Sequence, residues 1–442
     1  MPPLTPLPFD HQMGALPALC GCANDDDAQT KRCVAFALNN VSANEKNHVV
    51  CERLGVIKPL VKLVCEEDPD THLQACIGLR NLAQNPKNRK RMGEMGAIPA
   101  VLKFADSDNT EVLRECAACL RNISLSEELK LMLVKQNALK PLIQFAHSSD
   151  VELSHQAVGI LANLAEVVEN QSIMVEEGLL QHLKFVLRSN SINVQREAAR
   201  AISNLAAEYA HTAEIASGGG LPPLVATLTS PDVMCQRYGA MGISNLATHL
   251  GNQTKILQEG ALGPLIALAN GSNGDLETQR YACFALTNAA CSRANHPHLI
   301  EEGVARLFVH LMEADDIELR NSATFGIANF CSAVENHQLL MQESVLPGLI
   351  VLADSSDPEA QLRAVAALRG LATDSQIREE MVKAGGGLEQ RGEIPYLQYK
   401  AKLTELPPTL PQRAWTALDP LLKLTHSDDV EVQAEVLSAL CK

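Results

Sequence analysis

The alternation of apolar and polar positions along the chain predicts short amphipathic helices. In one representative stretch, a short helix is expected over residues 88–95, Gly96 ends it, and a second helix begins near Pro99. A polar turn at 106–109 then caps the longest helix, over about 111–124, whose apolar residues recur at helical spacing. The pattern therefore predicts a unit of three helices, one short, one middle and one long.

This unit is repeated along the chain. An asparagine marks the same place in each long helix at steps of 41 residues, with one step of 43 at the glycine-rich "ANGSNGD". The marker asparagines are Asn40, Asn81, Asn122, Asn163, Asn204, Asn245, Asn288 and Asn329, and Gly370 holds the next place. A second row, mostly glycine, runs from Gly14 to Gly385 in the same register. A period of this length predicts a helical solenoid, in which the two extra residues lengthen a turn.

Residues beside the markers predict how the units pack. Bulky aliphatic residues stand two places before each marker, and small residues such as Ala83 and Ser124 stand two places after it. Bulky side chains would fill the core between layers, while small ones let neighbouring helices approach closely. The predicted fold class is an all-α, right-handed superhelical solenoid with an extended concave surface.

Composition excludes several classes of function. With 442 residues, 46% apolar content and no long uninterrupted apolar run, the chain can bury a large core and is not expected to span a membrane. A net charge of -15 repels phosphate backbones, so nucleic acid is not expected as a direct partner. Thirteen cysteines are scattered through apolar patterns, which favours a reducing cytoplasmic location and leaves cilium, cytoskeleton and nucleus open.

The sequence contains no motif of an enzyme or of a metal site. There is no G-x-S-x-G, P-loop, H-E-x-x-H or dinucleotide fingerprint, so catalysis and cofactors are not expected. Cys20 and Cys22, like Cys116 and Cys119, have metal-like spacing, but neither pair has a second pair or a clustered histidine nearby in the sequence. We therefore predict no metal site.

The phrase "NRKRMGEMGAIPAVLKFADSDNTEVLRECAACLRNIS" resembles the armadillo repeat family, which includes beta-catenin, plakoglobin, importin alpha and the vacuole-anchored armadillo proteins. The resemblance covers roughly residues 14–442. It implies about ten three-helix repeats, no catalysis, and a groove along the third helices that binds extended peptides or partner helices. In the family, an asparagine on the third helix holds the backbone of the bound peptide, which places the eight marker asparagines in the groove.

A side-chain amide suits that role because it carries two donors and an acceptor, so it can pair with any peptide group. The alternative is that each amide caps a neighbouring turn within the solenoid. A separate row, seven residues past the markers, is expected to cap the next short helix: Asn47, Asn88, Asn170, Asn252, Asn295 and Asn336.

The residues one turn before the markers would set specificity. Importin alpha has a tryptophan there that receives lysine stems, whereas this chain has Phe36, Arg200, Phe284 and Phe325 among smaller or aliphatic residues. We therefore expect these four residues to line the groove, and we do not expect binding of nuclear import signals of the importin alpha type.

Arginines recur eight residues before the markers, at Arg32, Arg114, Arg196, Arg237 and Arg280. On a helix this row lies about 80° from the asparagines, so it could form a basic edge that favours acidic or phosphorylated partner segments. The alternative is that these arginines pair with Glu115, Glu197 and their neighbours between layers.

The predicted organisation has four parts: an N-terminal extension at 1–13, the repeat array at 14–386, an irregular Gly- and Pro-containing insertion at 387–414, and a final partial repeat at 415–442. The insertion is expected to pack on a partner or in the groove. Since neither end offers a polar cap, we expect a longer polypeptide or covering proteins. The predicted function is a non-catalytic interaction scaffold within a larger assembly; a soluble cargo or peptide adaptor of the nuclear-import or signalling type is the alternative.

Overall fold

A computed structural model describes residues 14–381 of the chain. The chain divides into two compact units, Met1–Leu224 and Val225–Lys442, which we call the first and the second unit. Helices and turns make up the described residues, and no strand occurs among them. The predicted segments 1–13, 387–414 and 415–442 lie outside the described residues.

The long helices follow the predicted period. They span Ala28–Ser42, Pro69–Leu82, Thr110–Ile123, Val151–Leu164, Ile192–Leu205, Val233–Ala247, Leu276–Ala289, Ile317–Cys331 and Pro358–Leu371. All but Ile192–Leu205 begin after an aspartate or asparagine whose side chain accepts a backbone N–H of the first turn, as Asn109 does from Glu111. These caps satisfy donors that a helix start leaves open.

Short and middle helices fill the rest of each repeat. The short helices span His48–Arg53, Pro86–Glu94, Glu127–Lys135, Val168–Glu176, Tyr209–Ser217, Leu250–Gln258, His296–Glu301 and His337–Gln342, and three of them follow 3-10 turns at Glu45–Asn47, Arg293–Asn295 and Val334–Asn336. The middle helices span Ala15–Cys22, Ile57–Val64, Ala97–Leu102, Leu139–Ala146, Leu179–Val186, Leu221–Thr227, Leu262–Ala269, Val304–Leu311 and Val345–Ala353. None of the described helices is long and apolar enough to cross a bilayer.

The glycine row explains how the short helix turns into the middle one. From Gly55 to Ser344, every residue of this row has a positive φ, including the non-glycine residues Asn137 at 60° and Ser344 at 58°. Only glycine adopts this left-handed conformation without a steric penalty, which is why it dominates the row. The predicted longer turn is also present, since six residues separate Leu262–Ala269 from the next long helix where four separate Leu139–Ala146 from its successor.

The core lies between layers, as the marker register predicts. Within each unit successive long helices pack against one another, and the aliphatic residues two places before the markers are buried from Leu38 to Leu368. The small residues two places after the markers are buried from Ser42 to Cys331. The all-α solenoid class predicted from the sequence is confirmed.

The asparagine row seven places past the markers has a different role from the predicted one. Each Nδ2 donates to the carbonyl six residues earlier, at the end of the preceding long helix. Asn88, which is fully buried, donates to Leu82 O at 3.0 Å and to His48 O at 3.3 Å, whereas Asn85 caps the short helix. The expectation that this row caps the next short helix is therefore wrong, because its amides close the C-terminus of the previous helix.

Candidate partner-binding face

One side of each long helix carries the marker residue together with the residues four and seven places before it. These positions lie within about 60° of one another around a helix, and we call the surface that they form the third-helix face. In the second unit the face carries Asn245, Asn288 and Asn329, with Met241, Phe284 and Phe325 four places before them. Tyr238 and Tyr281 stand seven places before the first two, whereas Ser322, seven places before Asn329, is buried. The tyrosine row was not identified from the sequence, although the 41-residue register contains it.

The side-chain amide nitrogens of several marker asparagines donate hydrogen bonds to the preceding repeat. Nδ2 of Asn122 donates to Arg80 O at 3.0 Å, Nδ2 of Asn204 to Ala162 O at 3.0 Å, and Nδ2 of Asn288 to Ser244 O at 3.4 Å. Each acceptor is the backbone carbonyl of the residue directly before the marker asparagine of the preceding repeat. The alternative role considered from the sequence, bonding within the solenoid, thus describes the donor end of these side chains.

The side-chain carbonyl oxygens of several marker asparagines are available for a second role. In the described part of the chain, no donor reaches Oδ1 of Asn122, Asn204, Asn288 or Asn329, and all four side chains are half-buried. A carbonyl oxygen can accept two hydrogen bonds, so the outward end of each amide retains its full capacity. With the donor end fixed by the neighbouring layer, that oxygen is held in one orientation.

Aromatic rings stand beside this ladder. Phe284 is 39% exposed and Phe325 is 37% exposed on neighbouring long helices of the second unit, and Phe36 is exposed in the first unit. The guanidinium carbon of Arg363 lies 5.1 Å from the centroid of the Phe325 ring. Large exposed rings are costly unless they are used for contact, so these positions mark the apolar part of the face.

The asparagine ladder ends at Gly370 for a steric reason. A Cβ atom at this position would lie 2.6 Å from the carbonyl oxygen of Cys331, in the backbone of the neighbouring long helix. No side chain can occupy that space without separating the two helices. The last asparagine of the described ladder is therefore Asn329.

The predicted basic row is paired with carboxylates. Nε of Arg32 donates to Asp68 at 3.1 Å, and Nε of Arg237 donates to Asp275 at 2.9 Å. Arg114 pairs with Asp150 and Arg280 with Asp316 in the same way, and Arg196 also has an interaction partner. The partners are the caps of the next long helices and not the predicted Glu115 and Glu197, so the charges of the four arginines are already balanced.

Arg200 occupies the marker-minus-four position of the first unit, where the second unit has its rings. Its side chain is 16% exposed and donates to Glu197 at 2.8 and 2.9 Å and to Asn163 Oδ1 at 2.8 Å. Around Asn163 the third-helix face of the first unit is therefore an ion-paired network, whereas around Asn288 and Asn329 the face of the second unit carries exposed rings.

Comparisons with known proteins agree with this geometry. The sequence model described as armadillo/beta-catenin-like repeat matches residues 85–125, 126–166 and 168–207. An engineered protein solved by crystallography is similar over 96% of this chain and 98% of its own, with 26% identity and a TM-score of 0.81. Residues 85–207 therefore match three armadillo repeats in succession. No curated protein matches the sequence.

A designed armadillo repeat protein is similar over 53% of this chain and 99% of its own, with 28% identity and a TM-score of 0.50. The markers Asn122, Asn163 and Asn204 lie on long helices within the residues that match the armadillo model. Within residues 14–381, no group of three or more histidine, cysteine or acidic side chains is arranged to hold a metal ion. Among the described residues, the groups on the third-helix face are amides, rings and ion pairs.

Proposed function

We propose that the second unit binds an extended segment of a partner protein along its third-helix face, across Asn288 and Asn329. The observation that carries this proposal is the pair of Oδ1 atoms that accept no hydrogen bond from described residues and stand one repeat apart beside exposed rings. Helix layers are spaced by about 8–10 Å, which matches about three residues of an extended chain rising about 3.3 Å each. One partner N–H could therefore reach each amide oxygen.

The rings would supply most of the binding energy. Phe284 and Phe325 are each more than one third exposed and stand one helical turn before the two amides, and burying part of such a ring removes apolar surface from water. The amides would fix the direction and register of the partner backbone, because each accepts an N–H whatever the side chain of that residue. Affinity and register are thus assigned to different rows of the face.

The proposed role is a non-catalytic interaction scaffold that acts through its binding face. Amides and phenyl rings bind peptide groups and apolar side chains but transfer no protons near neutral pH. Buried thiols support a core role for the cysteines, since burial raises the pKa of Cys283 to about 12. The scattering of 13 cysteines through the chain supports a reducing, cytoplasmic compartment for this role.

Peptide titration tests the proposal. Two twelve-residue extended peptides, one with alternating lysines and one with alternating glutamates, are titrated against the full chain by fluorescence anisotropy. We expect one of them to bind, and we expect the double variant N288A and N329A to bind it roughly tenfold more weakly, since each lost hydrogen bond is worth about 0.5–1.5 kcal/mol. The control is Asn270→Ala, which removes an exposed amide from a turn away from the face.

An unchanged affinity in the double variant would remove the role of the asparagines. Whether the chain is a subunit of a larger assembly or a soluble adaptor is a separate question. Affinity purification of the tagged chain at low and high salt answers it: a stable complex at high salt supports the scaffold, and peptide binding that is lost with salt supports the adaptor.

A further inference from the structure

The third-helix face of the first unit contains a group of charged side chains around Asn163. Arg121 comes from the long helix Thr110–Ile123, whereas Glu197 and Arg200 come from Ile192–Leu205, and we call the three residues the internal arginine cluster. All three stand on or beside the rows that form the face: Glu197 seven and Arg200 four places before Asn204, and Arg121 directly before Asn122. The cluster therefore lies where a partner segment would lie in the second unit.

Both ends of the Asn163 amide are used within the protein. Its Nδ2 donates to Ser124 Oγ at 2.8 Å, and its Oδ1 accepts from Arg200 Nη2 at 2.8 Å. The side chain is 5% exposed. Asn163 thus differs from Asn288 and Asn329, whose carbonyl ends accept no hydrogen bond from described residues.

The two arginines also donate to backbone carbonyls of the long helix that carries Asn163. Nη2 of Arg200 donates to the backbone carbonyl of Gly159 at 3.2 Å, and Nη1 of Arg121 donates to the carbonyl of His155 at 3.2 Å. A Cβ atom on Gly159 would overlap the guanidinium of Arg121. The missing side chain at Gly159, in the row that carries the rings of the second unit, is therefore what admits Arg121.

Glu197 holds the two arginines in place. It accepts from Arg121 at 2.6 Å and from Arg200 at 2.8 Å, and its side chain is 12% exposed. Burial alone would raise the pKa of this carboxyl, but Arg200 and Arg121 lower it below its ordinary value. Glu166, which itself pairs with Lys130, accepts from Arg200 at 2.8 Å, so the charges of the cluster are balanced by neighbouring carboxylates.

We infer that Arg200, held by Glu197, is a built-in occupant of the first unit's third-helix face at Asn163. The open Oδ1 atoms of Asn122 and Asn204 are then separated by an occupied amide, which favours an extended partner segment on the second unit. This inference rests on the proposed function, because it assigns selectivity among the armadillo asparagines. An amide whose two ends are bonded and whose side chain is buried offers nothing to an incoming backbone, and displacing Arg200 would leave Glu197 and Glu166 short of a partner. The position of the protein's own arginines then decides which part of the ladder is open.

A charge-balanced double variant tests the inference. In E197Q and R200M, the methionine is the residue that Met241 provides at the same register of the next repeat, and the net charge is unchanged. The matched control is E343Q and R306M, which removes a 2.9 Å ion pair outside the third-helix face without changing the net charge. Isothermal titration calorimetry with the two peptides described above counts binding sites in the wild type and in both variants, and thermal melting followed by circular dichroism checks that each is folded.

We expect the E197Q and R200M variant to bind one more peptide per chain than the wild type, and the control to bind as the wild type does. Equal stoichiometry in all three proteins would overturn the inference and leave the proposed function standing. If no protein binds either peptide, both are overturned; if only the cluster variant binds, the inference stands and the second-unit site is refuted.

A second variant needs no disruption of the cluster's charges. Because Asn163 is already occupied, Asn163→Ala in the otherwise natural chain should leave peptide affinity within twofold of the wild type, whereas Asn288→Ala should weaken it severalfold. A loss of affinity in Asn163→Ala as large as that in Asn288→Ala would contradict the inference.

Discussion

Arg280 donates to both carboxylate oxygens of Asp316, at 3.2 Å from Nε and 2.5 Å from Nη2, across two neighbouring repeats. The same carboxylate accepts the backbone N–H of Leu319 at 3.0 Å and caps the long helix Ile317–Cys331. One aspartate thus starts a helix and joins it to the preceding repeat. The pair Arg237 and Asp275 repeats this arrangement one period earlier.

Removing the Asp316 carboxylate should therefore cost more than an ordinary surface charge. We expect Asp316→Ala to lower the free energy of unfolding by about 1–2 kcal/mol, which is the range for loss of an N-cap. Asp315→Ala removes the same charge from the exposed residue next to it and should change the free energy of unfolding by less than about 0.5 kcal/mol. Urea denaturation followed by circular dichroism measures both, and equal effects would show that the shared cap adds nothing.

The Asp275 pair predicts a dependence on acid pH. The hydrogen bond from Arg237 lowers the pKa of Asp275 to about 2, against about 3.9 for an aspartate in an unfolded chain. The stabilisation from this ion pair is fully present above the pKa of an unfolded aspartate. It is lost as the pH falls from about 4 to about 2, because the folded protein then takes up a proton on Asp275.

Asp275→Asn keeps a good helix cap but removes the charge. We expect this variant to have a lower urea midpoint than the wild type at pH 6, and we expect the gap to narrow between pH 4 and pH 2. A gap that stays constant over that range would contradict the assigned pairing.

Gly370 should tolerate no side chain. We expect Gly370→Ala to lower the free energy of unfolding by about 1–3 kcal/mol, because the added Cβ would lie 2.6 Å from the Cys331 carbonyl oxygen and would force two helices apart. In the control, Gly263→Ala, no atom lies within 4 Å of the added Cβ on a helix. That variant should gain up to about 1 kcal/mol from helix propensity, and a loss of stability there would undermine the comparison.

The buried amide of Asn88 should be worth more than an exposed one. We expect Asn88→Ala to lower the free energy of unfolding by about 2 kcal/mol, since two backbone carbonyls lose their donor in a site without solvent. Gln84→Ala, at an exposed position of the same turn, should have little effect. Hydrogen exchange of the amides around Leu82 would show the local loss of protection that the first variant predicts.

The sequence predicts the repeat well because its signal is periodic. The long helix expected over 111–124 is Thr110–Ile123, and the aliphatic residue before each marker is buried from Leu38 to Leu368. Each such position is supported by eight or more equivalents in the chain, so errors in one repeat are corrected by the others. The helix period and the register then fix which side faces the core.

Contacts between individual side chains of neighbouring repeats were harder to predict, although the arginine–aspartate pairs have a recurring spacing in the sequence. Arg114 and Asp150, like Arg280 and Asp316, are 36 residues apart, and this shared spacing could have identified the pairing in advance. The direction of an amide has no such signal, because the same Asn88 can accept from the next helix or donate to the previous one. Nor does composition show that Arg200 donates to the side-chain carbonyl of Asn163, since this hydrogen bond depends on how two neighbouring long helices pack.

The location of a bound segment is the central claim, and fluorine NMR tests it most directly. The full chain is prepared with 4-fluorophenylalanine at position 284, 325 or 185 in turn, and the peptide that binds in titration is added. Phe185, which is 65% exposed on the middle helix Leu179–Val186 of the first unit, serves as the reference away from the third-helix face. We predict that the resonances at 284 and 325 shift while that at 185 does not; a shift at 185 with none at 284 and 325 would contradict the account.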